Sequence, residues 1–468
     1  MFKQFIENNK KNIISSICDL ITYPSVSTPT SNSHFPFGKD CSDVLKYFLS
    51  LANSLGFRTK NVDGYCGYAE FGEGSDLIGI IGHLDVVSAN EDDWDFSPFI
   101  PTINNGYLYG RGAIDDKGPV VASLYAMKAV MDYCVENNIT INKRVRLIVG
   151  LNEEKDWECI NYYKVHEEIP SVGFSPDADF PCIYAEKGVL SICISDKLNN
   201  NLPIQIEEVD CNNNALNVVP KICSVTLKTS PPVKMDYLIS ILKNYIVTKE
   251  YEIDIYKIDN SSIKLTSYGV AAHSAHPDLG KNAITPLLLV LNELFKSYKM
   301  SLPLLSNFCT YIGNDYSGKG MNLNVEDESG KLTLNTSRLY IEDNKLYIGM
   351  NLRIPIHTTI ESVVDVYNKY FTNFNVTVLS KLDPLFIDKN NKLVKDLCDI
   401  FNEECDTNFE PIAIGGATYA RAFDNFISFG MNFPGDKDMC HQVDEFISID
   451  KLMIATNIYA KAIYKLLQ

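Results

Sequence analysis

The sequence predicts an α/β protein in which a mixed, mostly parallel sheet flanked by helices is interrupted by an α+β domain. Strand-like runs alternate with amphipathic helices in the first and last parts of the chain, whereas short strands and polar hairpin turns begin near residue 188. The 468 residues also exceed what one ordinary core holds. We therefore expect residues 1–187 and 384–468 to form one domain, and residues 188–383 to form an inserted lid domain.

In the first part, apolar residues spaced three and four apart predict helices over residues 2–22 and 43–55. A long apolar helix is predicted to open near Pro119, which suits a first helical turn, and to end near Val135. Apolar runs predict strands at residues 65–71, 77–87 and 144–150.

The inserted part contains hairpin-like polar turns at residues 259–262 and 342–345, and three helices are predicted in it. A weak internal repeat of strand then helix joins residues 225–228 to a helix from Met235, and residues 351–354 to a helix from Glu361. After residue 383, a helix is predicted at 393–402, strands at 411–415 and 426–431, and a final helix from about 450.

Composition excludes several classes of partner. A formal net charge of −17 argues against nucleic acid and anionic membranes, because both require a basic face. The first nineteen residues mix Lys, Asn and Glu with isolated apolar residues, which favours a helix of the mature protein over a signal peptide. Thirteen cysteines without a CxxC pair predict reduced thiols and a cytoplasmic protein.

A candidate metal ligand follows the most apolar strand. Residues 77–81 are apolar, and Gly82 marks where the backbone leaves the strand. His83 and Asp85 come next, two positions apart. In extended backbone this spacing points both side chains the same way, so the carboxylate can hold the second nitrogen of the imidazole or lie behind a bound metal. The simpler alternative is a strand end with a polar turn.

Two imidazoles and three carboxylates at separated positions have the chemistry of a metal centre: His83, Asp115, Glu154, Asp177 and His441. This set, which needs no thiolate, suits a pair of divalent ions such as zinc, manganese or cobalt. Two ions about 3.5–4 Å apart need one bridging carboxylate. Glu153 is then available to take the proton from a shared water. Taken alone, adjacent acids in a loop are usually just solvated.

Five short motifs occur in a fixed order along the chain. They are Gly-His-Leu-Asp-Val-Val at 82–87, Arg-Gly-Ala-Ile-Asp-Asp-Lys-Gly-Pro at 111–119, Asn-Glu-Glu at 152–154, Ser-Pro-Asp-Ala-Asp at 175–179, and His441. This order resembles the di-zinc aminoacylase, carboxypeptidase and dipeptidase family of metallopeptidases over nearly the whole chain. Residues 173–181 and 184–188 are most similar to its bacterial Xaa-His dipeptidase branch, which is carnosinase-like.

The resemblance implies a role for each motif residue. Asp115 would bridge two ions, which are most simply zinc. His83 and Asp177 would complete one site, and Glu154 and His441 the other. Asp85 would orient His83, and Glu153 would be the general base. The family also often has a cis peptide bond at the position of residues 115 and 116.

Further residues are implied in the lid. The segment Gly-Val-Ala-Ala-His-Ser-Ala-His-Pro at 269–277 resembles a family motif that makes His273 the donor to the developing oxyanion. Asn217, Arg353, Gly415 and Gly416 match positions that hold the carboxylate end of the substrate, which a guanidinium binds through two parallel hydrogen bonds. Without the resemblance, a surface ion pair is the simpler interpretation of Arg353. Lid closure would bring His273 and Arg353 onto the substrate.

The expected activity is therefore metal-dependent hydrolysis of dipeptides by a water that two ions activate. Asn152 is a departure, because the family usually has Asp there, and Asp156 stands where a Gly is usual. Two alternatives remain open: a deacylase or desuccinylase of N-acyl amino acids, and a non-catalytic, metal-dependent binding protein. The long lid with its repeat favours a monomer, with a dimer as the alternative.

Overall fold

The computed structural model of the chain describes residues 1–32, 34–211, 215–231 and 233–468. Within these ranges the helices are α1 (Lys3–Ile21), α2 (Lys39–Ser54), α3 (Lys117–Glu136), α4 (Glu158–His166), α5 (Met235–Thr248), α6 (Ile284–Ser297), α7 (Pro303–Tyr311), α8 (Ile360–Tyr370), α9 (Lys392–Cys405) and α10 (Ile449–Leu467).

The strands of the described residues are β1 (Arg58–Val62), β2 (Cys66–Gly72), β3 (Asp76–His83), β4 (Thr102–Asn104), β5 (Tyr107–Tyr109), β6 (Lys143–Gly150), β7 (Val172–Ser175), β8 (Ala178–Asp179), β9 (Ile183–Glu186), β10 (Gly188–Lys197), β11 (Ile204–Asp210), β12 (Ile222–Thr229), β13 (Ile253–Lys257), β14 (Ser262–Tyr268), β15 (Glu326–Asp327), β16 (Gly330–Lys331), β17 (Thr333–Glu342), β18 (Lys345–Ile354), β19 (Asn375–Leu382), β20 (Leu385–Phe386), β21 (Ile412–Ile414), β22 (Phe426–Ser428), β23 (Met431–Asn432) and β24 (Phe446–Ser448).

The chain divides into two compact units. The first comprises Met1–Tyr184, Ile387–Ile412 and Thr418–Gln468, and the second comprises Ala185–Phe386 and Ala413–Ala417. The sequence predicted domain boundaries after residues 187 and 383, with all of residues 384–468 in the first domain. In this division the segment Ala413–Ala417 belongs to the second unit.

The first unit is built on a mixed sheet with the order β1-β2-β6-β3-β7-β22. Strands β6, β3, β7 and β22 run parallel, whereas β1, β2 and β6 pair antiparallel. Seven of the eight residues of β3 are buried, as expected for a strand with helices over both faces. Helices α1, α3 and α10 pack together, and α3 also contacts β3 and β6. The predicted fold class is confirmed.

Two glycines allow the central strands to pack. Gly79 on β3 is paired with Gly173 on β7, and the Phe426 ring covers both. A Cβ at residue 173 would overlap the carbonyl oxygen of Gly79 and lie 2.5 Å from that ring. Glycine at this position therefore permits the close approach of backbone and ring.

The second unit contains two four-stranded sheets with the orders β11-β12-β14-β13 and β17-β18-β10-β19. All neighbours in both sheets are antiparallel. In each sheet a hairpin is followed by a helix and a further strand, namely β11-β12-α5-β13 and β17-β18-α8-β19. The strand-then-helix pattern seen in the sequence at residues 225 and 351 belongs to these two arrangements.

Several local predictions were wrong. The strand predicted at residues 77–87 ends at His83, and beyond it the backbone N–H of Val86 binds another segment, at the carbonyl oxygen of Ser25. The second unit has four helices among its described residues rather than three, since the short helix α7 was not predicted. Helix α4 was also missed, because its apolar spacing covers only nine residues.

The prediction that all thiols are reduced was wrong in one place. Cys211 and Cys223 form a disulfide next to the paired ends of β11 and β12, and the other eleven cysteines are free. Sequence spacing gave no signal, because the hairpin pairing that brings these two residues together is a tertiary feature. Among the described residues, no helix is long and apolar enough to cross a membrane.

Candidate metal centre and active site

The predicted ligands lie at the carboxyl ends of the parallel strands. His83 is the last residue of β3, Glu154 follows β6, and Asp177 follows β7. These three strands are neighbours, so their carboxyl ends meet at one edge of the sheet, where α/β proteins bind ligands. Asp115 lies two residues before the start of α3, and His441 lies between β23 and β24.

The five side chains form two groups that share Asp115. In the first group, His83 Nε2 lies 3.0 Å from Asp115 Oδ1 and 3.5 Å from Asp177 Oδ2. In the second, His441 Nε2 lies 3.1 Å from Asp115 Oδ2 and 3.0 Å from Glu154 Oε2. Each oxygen of Asp115 thus faces a different imidazole, which is the arrangement that a bridging carboxylate needs.

Hydrogen bonding sets the tautomer of His83. Its Nδ1 lies 2.9 Å from the backbone carbonyl oxygen of Asp85, a group that can only accept, so Nδ1 carries the proton. The Asp85 carboxylate is farther away, at 3.6 Å from Nδ1. The other ring nitrogen, Nε2, is buried and faces the carboxylates of Asp115 and Asp177. An imidazole nitrogen opposite two carboxylates is the geometry of a metal ligand.

The Asp85 carboxylate holds the segment that carries the predicted base. Its Oδ1 accepts the backbone N–H of Glu153, and its Oδ2 accepts that of Glu154, both at 3.1 Å. Asp85 is fully buried. The sequence predicted that this carboxylate orients His83, whereas in the structure its hydrogen bonds are to the two glutamates and its carbonyl contacts the imidazole.

The electrostatics of the cluster favour bound cations. Burial, together with the charge of Asp115, raises the pKa of Glu154 to about 7. Burial also raises the pKa of Glu153 far above its usual range, and so do the nearby charges of Glu154 and Asp177. Burial lowers the pKa of His441, but hydrogen bonds to Asp115 and Glu154 outweigh it and raise the pKa to about 11. The cluster thus contains more acidic than basic groups, and bound protons partly neutralise its excess negative charge. Divalent cations are suited to neutralise the same charge.

The peptide bond between Asp115 and Asp116 is cis, as the resemblance implies. Asp116 Oδ2 accepts the backbone N–H of His83 at 3.0 Å. A Cβ on residue 82 would overlap this carboxylate oxygen, so Gly82 provides the space that lets Asp116 hold the end of β3.

The departure at Asn152 has a structural explanation. Its Nδ2 donates to Ser27 Oγ at 2.9 Å, and its Oδ1 accepts the backbone N–H of Glu158 at the start of α4. Asn152 is fully buried. An amide fits this position because it donates to one partner and accepts from the other. The segment is therefore anchored although the residue is Asn rather than the usual Asp.

In the second unit, Arg353 belongs to a buried polar chain. Its Nη1 donates to the carbonyl oxygen of Gly415 at 2.9 Å, and its Nη2 donates to Ser274 Oγ at 3.0 Å. Ser274 donates in turn to Asn351 Oδ1 at 2.7 Å, and Asn351 Nδ2 donates to Ser191 Oγ. Arg353 is only 4% exposed, so the simpler interpretation of a surface ion pair does not fit.

The other predicted residues of this unit lie on neighbouring segments. His273 is exposed, and its Nδ1 accepts the backbone N–H of Ala275 at 3.3 Å, which places the ring proton on Nε2. The carbonyl oxygen of Asn217 accepts the backbone N–H of Ser274 at 2.9 Å. Gly416 follows Gly415 on the segment 413–417.

Sequence reasoning missed three residues that support these sites: Ser274, Asn351 and Glu445. Glu445 is fully buried and binds the loop that leads to Asp115. A pattern search gives no signal for such residues, because their partners are mostly backbone groups or distant side chains.

The chain is similar to known proteins over most of its length. The profile of the peptidase family M20/M25/M40 matches residues 79–465. The chain is 36% identical over 464 residues to the Bacillus subtilis protein named "Putative dipeptidase YtjP", covering 98% of this chain and 97% of that protein. It is 32% identical over 478 residues to a similarly named protein of Staphylococcus aureus strain USA300, covering 100% and 99%.

Solved structures share the fold. Human carnosine dipeptidase 1 has a TM-score of 0.61 at 15% identity, and the match covers 100% of this chain and 98% of that one. The dipeptidase Dug1p from Saccharomyces cerevisiae has a TM-score of 0.57 at 13% identity, with the same coverage.

The fold and the paired His and carboxylate groups define a metallopeptidase. The family match over most of the chain identifies it: the protein belongs to peptidase family M20, whose members depend on metal ions and typically bind two.

Proposed function

We propose that the protein hydrolyses dipeptides at a centre of two divalent ions, most simply zinc. The observation that carries this proposal is that one carboxylate, Asp115, is shared by two groups of ligands. His83 and Asp177 would complete one site, and Glu154 and His441 the other. The names of the similar bacterial proteins support the choice of substrate class.

When bound, two such ions would polarise the scissile carbonyl and acidify a shared water. Glu153 would take a proton from the attacking water as its oxygen bonds to the scissile carbonyl carbon. It would then deliver that proton to the amine nitrogen as the C–N bond breaks. Burial raises the pKa of its carboxyl, which is the direction that a general base needs. Asp85 holds the backbone of Glu153 in place through its 3.1 Å hydrogen bond.

The second unit would recognise the substrate. His273 carries its ring proton on Nε2 and would donate it as a hydrogen bond to the developing oxyanion. Arg353, assisted by Asn217, Gly415 and Gly416, would bind the carboxylate end. Its guanidinium is already oriented by Gly415 and Ser274, so little ordering is needed when a carboxylate binds.

The test is a panel of L,L-dipeptides, a β-alanyl dipeptide, a tripeptide, and N-acetyl and N-succinyl amino acids. Each is offered to chelated protein and to protein restored with zinc or manganese. We expect cleavage of the dipeptides only, and only with metal. Cleavage of the acyl compounds alone would make the protein a deacylase, and inactivity of metal-loaded protein towards every compound would contradict the proposal.

We propose further that the protein is a monomer, because its long second unit contains two similar sheets in one chain. Light scattering on pure protein should then give the mass of one chain, and twice that mass would contradict this.

A further inference from the structure

Glu445 is a buried carboxylate whose two oxygens are both occupied by donors from one loop. Its Oε2 accepts from Arg111 Nη1 at 2.7 Å and from the backbone N–H of Gly112 at 3.1 Å. Its Oε1 accepts the backbone N–H groups of Ile114 at 2.9 Å and of Asp115 at 3.2 Å. The side chain is fully buried. One carboxylate therefore binds four donors along five consecutive residues, the last of which is Asp115.

The backbone around Glu445 is attached to the same loop. Its carbonyl oxygen accepts the N–H of Gly110 at 2.9 Å. The next three residues form β24, which pairs antiparallel with β5 just before the loop. Glu445 thus contacts this loop at both ends, at Gly110 and at Asp115.

The segment of Glu445 also carries His441, four residues earlier. Asp444 anchors this segment separately, because its Oδ1 accepts the backbone N–H groups of Asp95 at 2.9 Å and Phe96 at 3.1 Å. His441 and Asp444 both have left-handed backbone, with φ of 64° and 55°. Glu445 therefore links the segment that bears His441 to the loop that bears Asp115.

The partners of Glu445 differ in kind from those of another buried carboxylate, Glu70. Glu70 shows what an ordinary buried ion pair looks like here: its carboxylate binds Arg146 at 2.6 Å and Arg58 at 3.0 Å, and both partners are side chains on strands. Glu445, in contrast, accepts three of its four hydrogen bonds from backbone N–H groups of the loop that ends at Asp115. Those bonds set the path of the backbone and hence the position of the Asp115 carboxylate.

We propose that Glu445 is a positioning residue of the metal centre, which holds Asp115 so that one of its oxygens faces His83 and the other faces His441. This inference rests on the proposed two-ion centre. Partners that orient metal ligands typically contribute about 10–100-fold to metal affinity.

The test compares Glu445→Gln with Glu70→Gln, the matched change at a buried carboxylate away from the centre. Zinc is titrated into chelated protein against a competing chelator, and the visible spectrum of cobalt-loaded protein reports the ligand geometry. We expect Glu445→Gln to bind zinc about 10–100-fold more weakly and to alter the cobalt spectrum. Glu70→Gln should lower the melting temperature of the chelated protein without changing either metal readout.

A further variant separates charge from geometry and serves if Glu445→Gln does not fold. Glu445→Asp keeps the negative charge but is one methylene shorter, so it cannot reach all four donors. Weakened zinc binding in this variant supports the proposal. Wild-type affinity and spectrum in the Glu445 variants, or equal weakening in Glu70→Gln, would overturn it. A wild-type protein that binds fewer than two zinc ions would instead overturn the two-ion centre itself.

Discussion

At the scale of single residues, Asp85 contacts the two adjacent glutamates for which different roles are proposed. The Asp85 carboxylate accepts the backbone N–H groups of both Glu153 and Glu154, so it holds both residues on one fixed segment. Glu154 Oε2 lies 3.0 Å from His441 Nε2. Glu153 lies near the charges of Glu154 and Asp177. One backbone anchor thus serves a predicted ligand and a predicted base.

Replacing Glu153 with Ala should leave two ions bound and reduce kcat by at least about 10²–10⁴-fold, because general-base catalysis contributes that much. Metal analysis and dipeptide turnover measure the two effects separately. The exposed Glu158→Ala on α4 is the control and should behave as wild type. Turnover retained in Glu153→Ala would remove this residue from the mechanism.

Replacing Arg353 with Lys should raise KM for a dipeptide by roughly 10–100-fold with a smaller effect on kcat. A lysine keeps the charge but cannot form two parallel hydrogen bonds to a carboxylate. Steady-state kinetics give the two constants, and Lys228→Met, an exposed change in the same unit, is the control. An unchanged KM would show that Arg353 does not bind substrate.

At the scale of elements, three helices of the first unit meet at one acid. Glu404 on α9 binds Lys3 at the start of α1 at 2.8 Å and Lys461 on α10 at 2.6 Å. The Glu404 side chain is only 5% exposed. Although burial raises its pKa, the hydrogen bonds to both lysines outweigh this and lower it. The acid therefore connects helices that are distant in sequence.

Replacing Glu404 with Gln should destabilise the protein at pH 7 by about 1–2 kcal/mol, since both ion pairs lose their charge. A carboxyl with a depressed pKa in the folded state adds stability above its unfolded pKa of about 4.3, and this is lost as pH falls through the lower folded pKa. The difference in melting temperature between variant and wild type should thus persist from pH 7 to about 4.5 and shrink below it.

Asp43→Asn is the matched control, because Asp43 pairs with Lys39 and Lys46 within the single helix α2. Such pairs contribute about 0.3–0.5 kcal/mol each. A loss at pH 7 no larger for Glu404→Gln than for Asp43→Asn would contradict the assigned role of Glu404.

At the scale of the whole molecule, the proposed metal centre joins chain segments that are far apart in sequence. Its proposed ligands run from residue 83 to residue 441. The acids there repel one another unless cations or protons balance them, so ion binding and folding of the first unit should be coupled.

Removing metal with a chelator should therefore lower the melting temperature, and adding zinc should restore it. Free zinc at about one thousand times Kd stabilises the folded state by about 4 kcal/mol, which corresponds to a shift of roughly 8 °C or more. Scanning calorimetry measures the shift. The His441→Ala variant, which lacks one ligand, should show a smaller restoration, and a melting temperature indifferent to zinc would argue against the centre.

The sequence by itself determined the fold class, the family and the five side chains that the structure brings together. The reason is that metal chemistry restricts residue types, and strand and helix periodicity are local properties. The resemblance also implied the two groups of side chains around Asp115 that lie together in the structure.

Only the tertiary structure decided which groups support those side chains. Asp85 binds the backbone of Glu153 and Glu154, Asn152 anchors α4, and Glu445 binds the loop before Asp115 from 330 residues away. The disulfide between Cys211 and Cys223 was likewise invisible in the sequence. These contacts depend on distant segments meeting in space, and their backbone partners are chemically the same at every residue, so no pattern along the chain marks them.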